Sequence, residues 1–202
     1  MFGLDIDYYY GQWANEGRLA ELADALGPLA SLFFPDSLER ATLFNEETGQ
    51  KALYALPMGR TAIHLHAWES LLEQAGFTLE DIPQEWDAFW SFWCDEAQPT
   101  VRRAMGRDDI WGVGLIMSAG SAGEINIQFR QFLSAYEAHY VSRDGRLAID
   151  EPEIRRRLAK AIASYTDIYR KGCTPPEAVD WDDLGNNNAF LAQRVVMTPT
   201  RR

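Results

Sequence analysis

At 202 residues, with 47% hydrophobic and 12% aromatic side chains, the chain can bury one substantial core or two small ones. Its 19 Lys and Arg against 30 Asp and Glu leave a net charge of −11. That balance speaks against nucleic acid as a partner, because phosphate binding needs clustered cations. The one basic run, Arg155-Arg156-Arg157, falls on a predicted helix near acidic residues and reads as a solvated face. No segment is long and apolar enough to cross a bilayer as a helix.

In chain order, residues 17–26 predict a helix with Leu19, Leu22 and Leu26 on one face. Residues 35–43 predict a second helix, opened by Pro35 in its first turn. Short strands are expected at residues 53–56 and 62–66. Between them, Pro57-Met58-Gly59 interrupts regular pairing. Aromatic and imidazole groups, Tyr54, His64, His66 and Trp68, cluster around that break. Rings at a junction between two packed units suit ligand capture, and they equally suit half-buried packing.

Residues 67–74 predict a helix closed by Gly76. Trp86, Phe89, Trp90 and Trp93 recur at i, i+3, i+4 and i+7, a helical stripe read as core. Residues 110–117 form an apolar strand that ends in the small-residue loop 118–123. A helix follows, with Ile125, Phe129, Phe132, Leu133 and Tyr136 on one side. Strand, small loop and helix N-terminus make a ligand cradle. It is not a phosphate loop, because no Gly-Lys-Ser/Thr follows. Residues 140–149 read as a hairpin about Asp144-Gly145. Asp150 and Glu153 suggest a capping box for a helix that ends at Lys171-Gly172.

The chemistry-bearing residues are sparse. Glu177, Asp180, Asp182 and Asp183 lie close in sequence, and paired carboxylates can hydrolyse a glycoside. Such acids also cap helices. His64 and His66 would share a strand face, but no third metal ligand follows at suitable spacing. No nucleophile motif is present. The expectation is therefore no catalysis, no metal and no cofactor. Cys94 and Cys173 have neither metal-like spacing nor a C-x-x-C pattern. They read as two buried free thiols, with pairing in an oxidising compartment as the alternative.

A set of segments carries a family resemblance. Gln50-Lys51-Ala52-Leu53-Tyr54-Ala55-Leu56-Pro57 resembles "GKLYALP", and Leu71-Leu72-Glu73-Gln74-Ala75-Gly76 resembles "LLEKAG". Pro83-Gln84-Glu85-Trp86-Asp87-Ala88-Phe89 is similar to "P-x-T-W-D-E-F", with Glu85 in place of Thr. Gly112-Val113-Gly114-Leu115 resembles "YGFGL", and Asp144-Gly145-Arg146 through Glu153 resembles "DGKVTLDSPE". Tyr169 through Pro176 is similar to "YKKGLVPP", and Ala189-Phe190-Leu191 with Val195-Val196-Met197-Thr198 resembles "AFLSGKAAMT". In this order, over residues 13–198, the segments resemble the sugar-binding family 1 solute-binding proteins of ABC importers.

The resemblance implies an α/β fold of the type II periplasmic-binding-protein kind, mostly the second lobe with a partial first lobe. Residues 1–58 would be the partial first lobe and hinge strand, 59–198 the second lobe, and 199–202 the start of a return crossing. It implies a monomeric carbohydrate-binding protein outside the cytoplasm that captures a mono- or oligosaccharide between lobes and delivers it to a membrane permease. Met1-Phe2-Gly3-Leu4-Asp5 has no basic n-region, so a fragment without its export signal is expected. The implied ligand contacts are Arg60 beyond the hinge, His66 and Trp68, and Ser118 and Ser121 in the small-residue loop. Trp181, Asp183, Asn186 and Asn187 stand before the helix of Phe190. Asn186 could instead cap that helix, and Trp181 could pack under its loop. A glycoside-active enzyme and a structural domain without ligand are the alternatives.

Overall fold

The computed structural model describes residues 9–57, 62–120, 123–141 and 146–201, the last by its backbone only. Its contacts divide the chain into two compact units, Met1–Ala62 and Ile63–Arg202. The predicted turn at Asp144-Gly145 and the residues Met58 and Gly59 lie outside the described residues.

The first unit is small. Helix α1 (Gly11–Asn15) stops at Gly17, whose φ of +67° suits glycine. Helix α2 covers only Ala23–Leu26, against an expected 17–26. The Leu22 amide explains the loss, because it donates to Leu53 O at 2.8 Å and lies alongside a strand end. Helix α3 (Pro35–Arg40) starts at proline as expected and ends early. Its successors enter strand β1 (Thr42–Asn45), which pairs antiparallel with β2 (Gln50–Leu53). Asn45 builds the hairpin turn: its Oδ1 accepts from Glu47 N at 2.9 Å and Thr48 N at 3.2 Å. Only Leu53 of the expected strand 53–56 pairs in the sheet. Leu26, Ala41, Leu53 and Ala55 form this unit's core.

The second unit holds a three-stranded sheet of order β3-β5-β4, with β3 at Ile63–Ala67, β4 at Trp111–Val113 and β5 at Val195–Arg201. Strand β5 is central, antiparallel to β3 (Ala67 opposite Met197) and parallel to β4 (Val113 opposite Met197). Val195, Val196 and Met197 are fully buried, the continuous apolar run of a strand covered on both faces. The predicted strand 110–117 pairs over only three residues. Beyond Gly114 its amides go elsewhere: Ile116 N donates to the Gln128 side chain and Met117 N to Ala178 O.

Helix α4 (Glu69–Gln74) follows β3. The tryptophan stripe occupies α5 (Trp86–Ser91) and a π-helical segment, Phe92–Ala97, that continues into α6 (Gln98–Met105). Trp90 and Trp93 are buried and Trp86 and Phe89 pack against the same cluster, as expected of core. Helix α7 (Glu124–Ala135) packs on α8 (Pro152–Arg170). The start of α8 departs from expectation. No side chain caps it, Pro152 supplies the first turn, and Asp150 and Glu153 pair with Arg155 and with Arg156 and Arg157. Gly172, at φ +68°, ends it. Helix α9 (Gly185–Leu191) lies against β5. The expected hairpin leaves one bridge, Val141 to Leu147.

The cysteines correct the free-thiol reading. Cys94, in the π-helical segment, is disulfide-bonded to Cys173 after α8, with Cα atoms 5.0 Å apart. Proximity in the fold, invisible across 79 residues of sequence, decides the pairing. Gly112 accommodates this junction, because a Cβ there would lie 2.2 Å from Trp93 O and 3.1 Å from Cys173 Sγ.

Candidate functional site

In open α/β sheets, ligands bind beyond the carboxyl ends of parallel strands. Here those ends belong to β4 and β5; Ser118 follows β4, and Asn186 on α9 bonds Thr198 and Pro199 of β5. Ser118, buried after β4, accepts from Gly120 N at 3.1 Å through its hydroxyl. The chain then enters α7, whose first amide is met from far along the sequence: Glu124 N donates to Asp183 Oδ1 at 3.1 Å. A carboxylate there complements the helix dipole. Gly123 permits the approach, since a Cβ would fall 2.9 Å from Asp183 Oδ2. The start of α7 therefore already holds a negative group, which disfavours an anionic ligand at that point.

Asn186, on the first turn of α9, is fully buried. Its Nδ2 donates to Thr198 Oγ1 and Pro199 O, both at 3.2 Å, and Thr198 Oγ1 donates to Gly114 O at 2.8 Å. Its Oδ1 is buried without a partner among the described residues, an exception to the rule that buried polar atoms are hydrogen-bonded. Gln128 on α7 completes the net. Its Oε1 accepts from Ile116 N at 3.0 Å and its Nε2 donates to Pro199 O at 3.1 Å. Tyr165 on α8 donates its hydroxyl to Ile116 O at 2.5 Å. Burial first, then the charge of Glu124, pushes that phenol above its ordinary range.

Ser118 lies after β4, Asp183 meets the start of α7 and Asn186 bonds β5, with Asn187 half-buried beside Asn186. Trp181 lies elsewhere, in a depression of about 430 Å³ with Glu177, Asp180, Asn188 and Arg194. Its ring packs on Gly185, where a Cβ would come within 2.3 Å. Arg60 and Ser121 lie outside the described residues. His66 and Trp68 line a groove of about 900 Å³ with Leu65, Trp86, Trp90 and Phe132. Trp68 is engaged there: its Nε1 donates to Phe190 O at 2.7 Å and its ring stacks on Phe190 at 5.1 Å. His66 meets the same Phe190 edge-to-face at 6.2 Å.

Sequence reasoning missed Gln128 and Thr198. A signal existed for Gln128, a polar residue within the Ile125, Phe129 and Phe132 face. It also missed that Asp183 serves a helix 59 residues away. Among the described residues no group of three or more His, Cys, Asp or Glu could hold a metal ion. No helix among them is long and apolar enough to cross a membrane.

No protein-family model and no curated protein sequence matches the chain. Solved structures do. An ABC transporter solute-binding protein from Thermotoga lettingae TMO, bound with α-D-tagatose, matches at TM-score 0.67 and 19% identity, over 95% of this chain and 46% of its own. The cyclic α-maltosyl-1,6-maltose binding protein of Arthrobacter globiformis matches at TM-score 0.65 and 19% identity, over 96% and 44%. A sugar transporter from Arthrobacter chlorophenolicus A6, with bound laminaribiose, matches at 0.60 and 17%, over 90% and 42%. The fold is part of the periplasmic-binding-protein fold. The chain spans less than half the length of these neighbours.

Proposed function

We propose that these residues form most of the ligand-closing second lobe, with part of the first, of a carbohydrate-binding component of an ABC importer. The observation that carries this reading is the likeness along at least 90% of the chain to proteins solved with tagatose and laminaribiose. The candidate contacts are Ser118 in the loop after β4, Asp183 before α9, and Asn186 and Asn187 on its first turn, with Arg60 and Ser121 as further candidates outside the described residues. Amides, hydroxyls and a carboxylate suit the many hydroxyls of a sugar, and Asp183 at the start of α7 speaks against phosphate. A ligand that touches both lobes favours the closed state, and the closed form is what a membrane permease receives. The Cys94–Cys173 disulfide supports a site of action in the periplasm or outside the cell. The protein acts as a monomer, without catalysis and without nucleic acid.

Calorimetry with the natural polypeptide containing these residues tests the ligand class, against a panel of mono- and oligosaccharides and a panel of amino acids and peptides. Heat with a sugar is expected. Heat only with amino acids or peptides overturns the reading. Residues 1–202 alone, which span 42–46% of the length of the solved neighbours, are expected to bind at least roughly a hundredfold more weakly, since each 1.4 kcal/mol of lost contact costs about tenfold.

A further inference from the structure

The Cys94–Cys173 bridge joins two sulfurs in unlike surroundings. Cys173 is 1% exposed and belongs to the same core cluster as Trp93 and Val113. Gly112 stands against it, where even a Cβ would come within 3.1 Å of its Sγ. Cys94 is half-buried. It forms part of the wall of a depression of about 310 Å³ between α5 and α8, in which Cys173 has no part. The charged groups of that wall carry both signs: Asp87 and Asp167, Lys160 and Lys171. Their pairings are loose. Lys160 Nζ stands 3.6 Å from Asp87 and Lys171 Nζ 4.0 Å from Asp95, and each of these side chains is more than half exposed.

Exchange at a disulfide needs the attacking thiolate, the attacked sulfur and the leaving sulfur in line, and its rate depends on which sulfur can be reached. A thiolate aimed at Cys173 would have to pass through Gly112 and the core. One aimed at Cys94 arrives from the depression. We propose that Cys94 is a site of reversible S-thiolation by a small zwitterionic thiol, of the amino-acid class, received in the depression between α5 and α8. The volume is at the small end of ligand sites, and its lysines and carboxylates offer charge-assisted partners to a carboxylate and an ammonium. The incoming thiol loses its proton and attacks Cys94 Sγ. A sulfur–sulfur bond forms between the two, the Cys94–Cys173 bond breaks, and Cys173 leaves as a thiolate that takes up one proton. The exchange consumes no further oxidant or reductant. The return step is intramolecular. Val113 N donates to Cys173 O at 2.9 Å, and the Gln98 side chain joins Gly172 O, at 3.1 Å, to Gly112 N, at 2.7 Å. Cys173 is thus held close to Cys94 and displaces the bound thiol when its concentration falls. The inference rests on the bridge and its surroundings, and is independent of which ligand the strand-end loops take.

The test incubates the folded, disulfide-bonded protein with excess L-cysteine, quenches in acid, alkylates free thiols and maps both products by digestion and mass spectrometry. The cysteine adduct is expected on Cys94 and the alkyl group on Cys173, and the adduct should revert to the bridge on dilution. An adduct on Cys173, or one divided evenly between the two, overturns the inference. So does an adduct that forms only once urea has unfolded the chain. Neutral 2-mercaptoethanol tests the class of thiol. With each rate divided by that of the same thiol on a small open disulfide, L-cysteine should lead several-fold. Lys160→Gln with Lys171→Gln should abolish that lead and leave the 2-mercaptoethanol rate as it was, which also shows that the fold is kept. Where the double change speeds 2-mercaptoethanol, the surface change Lys171→Gln alone replaces it and should reduce the lead. Equal rates for the two thiols on the parent, or a lead that survives these changes, overturns the zwitterionic assignment.

Discussion

Around the carboxyl ends of β4 and β5, buried amides and hydroxyls answer one another: Gln128 serves Ile116 and Pro199, Asn186 serves Thr198 and Pro199, and Thr198 serves Gly114. Asn186 Oδ1 is left without a partner among the described residues. Across the groove beside β3 the proportions reverse. Rings pack edge to face, as Trp86 does on Phe132 at 5.0 Å, and the buried indole donors of Trp90 and Trp93 are unmet. The first region fixes its polar atoms on one another. The second leaves apolar area exposed, with Leu65 at 55% and Leu79 at 52%. Size and aromatic content alone would have chosen the groove as the binding site. The sugar contacts proposed above lie instead at the strand ends.

The largest expected effect strikes the groove wall. The Cys94–Cys173 bridge ties the π-helical segment carrying Trp93 to the loop after α8, closing a span of 79 residues. A cross-link over such a loop restricts the unfolded chain and is worth about 4 kcal/mol. Reduction, or the double Cys94→Ala, Cys173→Ala change, should lower stability to urea by about that amount. Tryptophan emission followed during the titration checks it. A midpoint that does not move under reduction would show that the π-helical segment and the loop after α8 are held together by packing alone.

A smaller loss, confined to the strand ends, is expected from Gln128→Leu. The substitution keeps the volume roughly and removes both polar atoms. Ile116 N loses its acceptor and Pro199 O loses one of its two donors, at an expected cost of about 3 kcal/mol. Hydrogen exchange should show residues 114–118 opening early while the amides of α5 stay protected. Loosening that spreads evenly into α5 would mean that the two regions form one cooperative unit, and the contrast between them would fail.

Legibility in the sequence followed the same divide. The tryptophan stripe was readable because helical periodicity is local, and the Pro35 start and Gly172 stop were readable for the same reason. The predicted helix at 17–26 failed because Leu22 is claimed by Leu53, a partner 31 residues on that no local pattern signals. Strand β4 came out short because side chains from α7 and the Ala178 carbonyl take the amides its sheet would have used. Of the candidate contacts, Asp183 and Asn186 reach across the fold, to Glu124 on α7 and to Thr198 on β5. Their partners on α7 and β5 become visible only once the chain is folded. Trp68 and His66 looked like ligand rings from residue type, and their engagement with Phe190 is a tertiary fact.

The smallest expected effect concerns the rim of the groove and its dependence on pH. Leu79, Ile82 and Pro83 line the groove, and the short turn Leu79–Asp81 presents them. That turn is held by a reciprocal cap: Thr78 N donates to Asp81 Oδ2 at 2.7 Å and Thr78 Oγ1 donates to it at 2.9 Å. The Thr78 amide first, and its hydroxyl second, hold the Asp81 carboxyl below its ordinary value. A carboxyl depressed in the fold binds its proton more readily when unfolded. Its contribution is therefore complete above the unfolded value of about 3.9 and is lost as pH falls through the lower folded value. In Asp81→Asn that acid limb is gone, while a neutral amide oxygen still accepts from Thr78. Urea midpoints measured for parent and variant from pH 6 down to pH 3 should start apart, with the parent the more stable, and converge at the acid end. Asn186 itself carries no ionisable group, so Asn186→Ala should leave the shape of the acid limb unchanged. If Asn186→Ala also changed the shape of the acid limb, charge at the strand ends would be coupled to Asn186, and the division between a polar net and an apolar groove would need redrawing.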